Sequence, residues 1–101
     1  MTEAGPGPSG PGTVVMELGA GVGALILYTP AGLDGEEIEI SRDGAPRTHS
    51  RVRPRHLPGQ TTYAAVYPGL PEGRYTVWQG PTPVAALTVT GGQVSSCRWP
   101  G

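Results

Sequence analysis

Glycine and proline interrupt this chain so often that long helices have little room to form. The sequence contains 17 glycines and 12 prolines among 101 residues, and no ten consecutive residues are free of both. Both residue types are unfavourable inside helices, and an amphipathic helix needs about ten or more uninterrupted residues. Between the interruptions, short runs rich in β-branched and aromatic residues recur at intervals of roughly 8–12 residues, which is typical of sandwiches and barrels. The sequence therefore predicts an all-β domain.

Eight segments have the composition of strands. They are residues 14–18, 24–29, 36–42, 48–53, 61–67, 73–79, 84–90 and 93–99. Residues 24–29 (ALILYT) are apolar on both faces, which predicts a central strand. The last two segments flank Gly91-Gly92, which favours a two-residue hairpin with a type I′ turn. We therefore expect an antiparallel Greek-key β-sandwich of seven to eight strands.

The domain boundaries follow from a change in composition near the N-terminus. Residues 1–12 (MTEAGPGPSGPG) contain no large apolar residue after Met1. Such a segment cannot bury enough apolar surface to offset the entropy of ordering. We expect a disordered tail over residues 1–12 and a single β-sandwich domain over residues 13–101.

Overall charge and cysteine content limit the expected partners and compartment. The formal net charge is −1 and the chain has one cysteine. This balance gives no excess of positive charge for nucleic acid. The sequence has no apolar run long enough for a transmembrane helix and no signal-peptide pattern at its start. A single cysteine forms no internal disulfide and fits a reducing compartment. We expect a cytoplasmic protein with no nucleic-acid partner and no membrane partner.

Two oppositely charged segments, residues 36–42 and 48–55, are expected to form a hairpin closed by residues 44–46. One register pairs every opposite charge and keeps the apolar side chains together. It places Asp43 opposite Arg47, Ser41 opposite His49, Glu39 opposite Arg51, Glu37 opposite Arg53, and Ile38 beside Val52. Exposed ion pairs contribute only about 0.2–1 kcal/mol each, so they select the register more than they stabilise the fold.

Motifs for catalysis, cofactors and metals are incomplete. Residues 19–24 (GAGVGA) fit a dinucleotide fingerprint, but a predicted strand follows them where the fingerprint needs a helix. His49, His56 and Cys97 have no recognised zinc-ligand spacing. The serines lack the Gly-x-Ser-x-Gly context of a hydrolase nucleophile. The sequence predicts no catalytic residue, no cofactor and no metal site.

Residues 64–78 (AAVYPGLPEGRYTVW) resemble a signature of carboxypeptidase regulatory-like domains, Cna-B-type domains and the wider transthyretin/prealbumin-like sandwiches. The closing LTVTGGQVSSCRW is similar to the last hairpin of that family. The resemblance implies a transthyretin-like fold in which Tyr75 and Val77 point inward. The chain also resembles small proteins of high-GC bacteria, and that likeness implies no activity.

Two activities found in the resembled families do not carry over to this chain. The isopeptide crosslink of Cna-B-type domains joins a lysine to an asparagine, and the sequence contains neither. The transthyretin-like hydroxyisourate hydrolases end in Tyr-Arg-Gly-Ser, whereas this chain ends in Cys-Arg-Trp-Pro-Gly. The resemblance therefore predicts a fold and no reaction, because such sandwiches have unrelated functions.

Two binding hypotheses remain. An exposed Trp78 beside Tyr67 and Arg74 would suit a protein-interaction surface, and an edge strand would suit self-association. We therefore expect a non-catalytic module with a protein partner or a second copy of the chain. The alternative is a small anionic-ligand-binding protein, or an enzyme, that uses the face of His49, Arg51 and Arg53.

Overall fold

The computed structural model describes residues 19–100, which form eight strands and one short 3₁₀ turn, Ala31–Leu33. The strands are β1 (Val22–Thr29), β2 (Glu37–Arg42), β3 (Arg47–Arg51), β4 (Arg53–Leu57), β5 (Gln60–Pro71), β6 (Gly73–Gln79), β7 (Thr82–Val89) and β8 (Val94–Arg98). The all-β prediction is confirmed. The predicted tail, residues 1–12, and the predicted strand at residues 14–18 lie outside the described residues.

The strands form two sheets of four. Sheet A has the order β4-β5-β1-β8, and sheet B has the order β3-β2-β6-β7. Every pairing is antiparallel except that of β1 with β8, which is parallel. Strand β1 lies between β5 and β8, and four of its eight residues are buried. Its central position was predicted from its two apolar faces.

The two sheets pack face to face around one hydrophobic core. Its largest fully buried side chains are Leu25, Leu27, Ile40, Val52, Val77 and Val89. Tyr67 and Tyr75 also lie in this core. The Tyr67 hydroxyl in sheet A donates a hydrogen bond to the Ile38 carbonyl in sheet B, at 2.7 Å. Burial raises the pKa of Tyr67 above its usual value, so its hydroxyl remains a donor that ties the two sheets together.

The chain passes from sheet B to sheet A at Val52. The Val52 N–H donates to the Glu36 carbonyl at 2.8 Å, and the Val52 carbonyl accepts from Gly35 at 2.9 Å. Its side chain is only 1% exposed. Arg53 then pairs with Ala64 of β5 in sheet A. The prediction of one strand over residues 48–53 was wrong, because burial of Val52 between the sheets divides that segment.

The predicted register of the charged hairpin was also wrong. In the structure Glu37 pairs with Arg51, Glu39 with His49, and Ser41 with Arg47. Glu37 therefore does not face Arg53, and Glu39 does not face Arg51. The observed register differs by two residues, which preserves the inward and outward faces of both strands.

The register is set by sheet pairing beyond the hairpin. The Asp43 N–H donates to the Arg74 carbonyl of β6 at 3.0 Å, so the chain after β2 stays with β6 and does not turn at once into β3. A turn closed by Ala45 N–H and the Arg42 carbonyl (2.9 Å) follows, with Gly44 at φ +77°. Asp43 lies 4.0 Å from Arg74 rather than opposite Arg47. Backbone pairing with β6 outweighs one more exposed ion pair.

The predicted C-terminal hairpin does not form. The Gln93 N–H does donate to the Thr90 carbonyl (3.2 Å), so the chain turns at Gly91-Gly92. However, β7 continues sheet B whereas β8 pairs in parallel with β1 of sheet A. Of the two glycines only Gly92 has a positive φ, +77°, which excludes a type I′ turn. The Gly92 N–H donates to the Val22 carbonyl (2.8 Å), which directs the chain to β1.

Candidate functional site

The structure separates the three residues of the expected interaction surface. Trp78 is half-buried on the outer face of sheet B, and Arg74 is exposed on the same strand. Tyr67 belongs to β5 of the opposite sheet and is only 3% exposed. The expectation that Tyr67 lies beside Trp78 on an exposed surface was therefore wrong, because Tyr67 faces the space between the sheets.

Trp78 is held by polar contacts on the outer face of sheet B. Its indole Nε1 donates to Ser41 Oγ at 2.9 Å. The Arg47 guanidinium lies over the ring, 3.9 Å from its centroid. Arg47 also donates to Glu39 Oε1 and to the Gly80 carbonyl, both at 2.8 Å. One face of the indole is therefore covered by the chain itself, which makes Trp78 a poor anchor for a partner on that side.

Sequence reasoning did not identify Arg47 as part of this cluster. Arg47 of β3 pairs with Ser41 and Trp78 of β6 pairs with Glu39, so the two side chains meet over β2 from its two neighbouring strands. The predicted register placed Arg47 opposite Asp43. With the correct register, the sequence would have predicted that Arg47 lies near Trp78.

A cleft of about 390 Å³ lies at one end of the sandwich, beside Trp78 and Trp99. Three glutamates line it, namely Glu36, Glu37 and Glu39. Glu37 and Glu39 form ion pairs with Arg51 (2.9 Å) and Arg47 (2.8 Å). These pairs compensate two of the three carboxylates.

A larger cleft, of about 650 Å³, lies where the chain crosses between the sheets. We call it the arginine cleft; it is lined by Ser50, Arg51, Arg53, Pro54, Arg55, His56, Ala64 and Val66. Ala64 is buried and Val66 half-buried, so the cleft also has apolar walls. Ser50 Oγ donates to the Val66 carbonyl at 2.7 Å, which joins the two sheets beside the cleft.

The arginine cleft brings together two of the three residues expected in an anion site. Arg51 and Arg53 both line it, whereas His49 does not. His49 is exposed on β3 and pairs with Glu39 in the register. Arg55 and His56 contribute instead. They line the cleft because the segment is divided at Val52. Proline is typical of edge strands, so Pro54 was the residue in the sequence that indicated a separate edge strand here.

The cationic groups of the arginine cleft differ in their partners. Arg51 donates to the Gly35 carbonyl (2.7 Å) and to Glu37 Oε2 (2.9 Å), so its charge is partly compensated. His56 Nδ1 lies 3.2 Å from Thr61 Oγ1. Arg53 has no hydrogen bond or ion pair with any of residues 19–100. Its guanidinium therefore keeps all its donors free of residues 19–100.

The only cysteine is half-buried in β8. Burial raises the pKa of the Cys97 thiol, which lowers the thiolate fraction at neutral pH. Within residues 19–100, no group of three or more histidine, cysteine, aspartate or glutamate side chains is arranged to hold a metal ion. The same residues include no helix with the length and hydrophobicity needed to cross a bilayer.

Comparisons with protein-family models, with curated proteins and with solved structures find no match to this chain. The Greek-key assignment and the resemblance to transthyretin-like and Cna-B-type domains therefore stay predictions.

Proposed function

We propose that the protein is a β-sandwich interaction module whose copies associate through the free edge of β7. The observation that carries this proposal is an uncharged edge strand. Within residues 19–100, β7 pairs only with β6. No charged side chain occurs anywhere between Arg74 and Arg98. Soluble proteins usually protect a sheet edge with charges, prolines or bulges, because an unprotected edge pairs with other strands. In β7 these features are confined to its start, at Pro83 and the register shift beside Trp78, so residues 84–89 have neither a charge nor a proline.

The backbone groups available at this edge follow from the pairing of β6. Alternate residues of a strand direct their N–H and C=O groups to opposite neighbours. The Arg74 carbonyl accepts from Asp43 on the β2 side, so Tyr75 directs its backbone groups to β7. Tyr75 pairs with Leu87. Ala86 and Thr88, on either side of Leu87, therefore direct their N–H and C=O groups to the free edge.

A second copy of the chain is the occupant that suits this edge. Antiparallel pairing of two identical β7 strands forms a dimer with a two-fold axis, in which the two copies of sheet B join into one continuous sheet. An uncharged strand meets no like-charge repulsion when it pairs with itself. A domain of this size buries only about 60–65% of its unfolded surface, so association adds substantially to its stability.

The edges on the other side of the sandwich are better protected. Strand β4 carries Arg53 and Arg55 and contains Pro54, which cannot donate a backbone hydrogen bond. Strand β3 carries Arg47, His49 and Arg51. The fourth edge strand, β8, ends in Arg98. Among residues 19–100, β7 is therefore the one edge strand that carries no charged side chain.

We also propose that the protein is cytoplasmic. The single half-buried cysteine supports this location, since it needs no oxidising compartment.

Sedimentation velocity on Thr88→Pro and Thr88→Ala tests the association. We expect the native chain to show a concentration-dependent dimer. Thr88→Pro removes an N–H that points to the free edge, and it should lower the association constant about tenfold or more, since one lost hydrogen bond costs about 1 kcal/mol and the ring obstructs pairing. Thr88→Ala keeps the N–H and should dimerise like the native chain.

We expect both variants to fold, because the Thr88 N–H has no partner in β6. Thermal melts of the two variants check this. Equal dimerisation of the two variants would contradict edge pairing. A native chain that stays monomeric at every concentration would overturn the proposal.

A further inference from the structure

We infer that the arginine cleft binds an organic oxyanion, that is, a carboxylate or phosphate group attached to a compact apolar body. This site lies beside β4 and β5 and does not depend on the proposed association through β7.

Charge is divided unequally between the two sheets. The acidic residues among residues 19–100 are Asp34, Glu36, Glu37, Glu39, Asp43 and Glu72. None of them belongs to a strand of sheet A. The strands of sheet A instead carry Arg53, Arg55, His56 and Arg98. The four described strands of the sheet that forms one side of the arginine cleft therefore carry basic groups and no carboxylate, although the whole chain is close to neutral.

The observed register and the crossing at Val52 together produce this separation. In the register predicted from the sequence, Arg53 would lie opposite Glu37, and the carboxylate would compensate the guanidinium. In the structure Glu37 pairs with Arg51, and Arg53 pairs with Ala64 in the other sheet. The methyl side chain of Ala64 offers no acceptor. Arg53 is thus presented at the cleft with its charge uncompensated by residues 19–100.

Residues that neighbour Arg53 across the strands of sheet A add aromatic and basic side chains. Ala64 pairs with Tyr28 of β1, and Tyr28 pairs with Arg98 of β8. Tyr28 is 38% exposed, one of two large apolar side chains exposed to that degree among the described residues. An apolar and aromatic surface therefore adjoins the cationic rim, on the same sheet.

The ligand class follows from the size and lining of the cleft. A volume of about 650 Å³ falls within the roughly 300–1,000 Å³ typical of small-molecule sites. Guanidinium groups bind carboxylates and phosphates through paired hydrogen bonds. Ala64, Val66 and Pro54 offer apolar contacts that an inorganic anion does not use. An anion with an apolar body uses both features.

Titrations followed by ¹H–¹⁵N NMR at constant ionic strength test the site. The probes are phenyl phosphate, benzoate and inorganic phosphate. We expect phenyl phosphate or benzoate to shift the amide signals of Arg53, Ala64 and Val66, with inorganic phosphate binding more weakly than phenyl phosphate. Whichever of the two organic anions binds more tightly identifies the anionic group.

Matched variants show whether the site is specific. Arg53→Gln removes the uncompensated guanidinium and should weaken binding about tenfold or more. Arg74→Gln removes an exposed arginine of sheet B, and it should leave the affinity unchanged. The Thr88→Pro variant should bind as the native chain does, because the cleft lies away from β7.

Three results would overturn the inference. The first is the absence of shifts at the cleft with either organic anion. The second is an equal loss of affinity in Arg53→Gln and Arg74→Gln, which would show diffuse charge attraction only. The third is binding of a single-stranded oligonucleotide without binding of either small organic anion, which would assign the cleft to nucleic acid.

Discussion

Replacing Val52 with aspartate is expected to unfold the protein. Val52 is 1% exposed and lies in the core at the point where the chain passes between the sheets. A carboxylate at this position would be removed from water without a partner, which typically costs about 3–5 kcal/mol. A small domain has a total stability of only about 5 kcal/mol or slightly more. Far-UV circular dichroism and urea titration measure the loss.

Two further variants control for the change of residue type. Val94→Asp places the same carboxylate on β8, at a side chain that is 46% exposed. We expect it to change the free energy of unfolding by no more than about 0.5 kcal/mol. Val52→Ala deletes two buried methyl groups, and it should cost roughly 2 kcal/mol without abolishing the fold. A Val52→Asp protein that melts like Val94→Asp would show that Val52 is not between the sheets.

Gly23→Ala is expected to destabilise the fold by about 3 kcal/mol, through steric conflict rather than lost burial. A Cβ atom at residue 23 would lie 2.5 Å from the Thr90 carbonyl oxygen and 2.7 Å from Val89 Cγ1. The Gln93 carbonyl oxygen, at 3.1 Å, restricts movement on another side. Two of these three atoms are backbone, so relief requires β1 to move away from the turn between β7 and β8.

Gly32→Ala is the matched control for this substitution. A Cβ atom there meets nothing within 4 Å, and the φ of Gly32 is not positive. Its free energy of unfolding should stay within about 0.5 kcal/mol of the native value. If urea unfolding gives the same stability for Gly23→Ala and Gly32→Ala, the close approach of β1 to the turn after β7 is contradicted.

Local patterns were sufficient to predict most of the strands. The predicted segment 73–79 coincides with β6, Gly73–Gln79, and the apolar segment 24–29 lies inside β1. Glycine and proline interrupt helices locally, and alternation of side chains along a strand is also a local property. Neither pattern requires knowledge of which strands become neighbours.

Strand partners and register depend on distant residues, and there the predictions were wrong. The charge-matched register compared only the two hairpin strands. The structure adds a backbone hydrogen bond from Asp43 to Arg74 of β6, which lies outside the hairpin. This contact, together with burial of Val52, outweighs exposed ion pairs that contribute little.

The error in register affected the candidate sites directly. The predicted register placed a carboxylate opposite both Arg51 and Arg53. In the structure Arg51 keeps such a partner, Glu37, whereas Arg53 has none among residues 19–100. Tyr67 lies on the same face of β5 as the fully buried Ala65, so the alternation of the strand explains its burial.

The most direct test of this structure is whether the basic segment is divided between the two sheets. Cross-strand nuclear Overhauser effects in the native chain measure it without substitutions. The structure predicts contacts between the backbones of Arg53 and Ala64, and between those of Arg51 and Glu37. Contacts of Arg53 with Glu37 and of Arg51 with Glu39 would show one uninterrupted hairpin, and would remove both the crossing at Val52 and the arginine cleft.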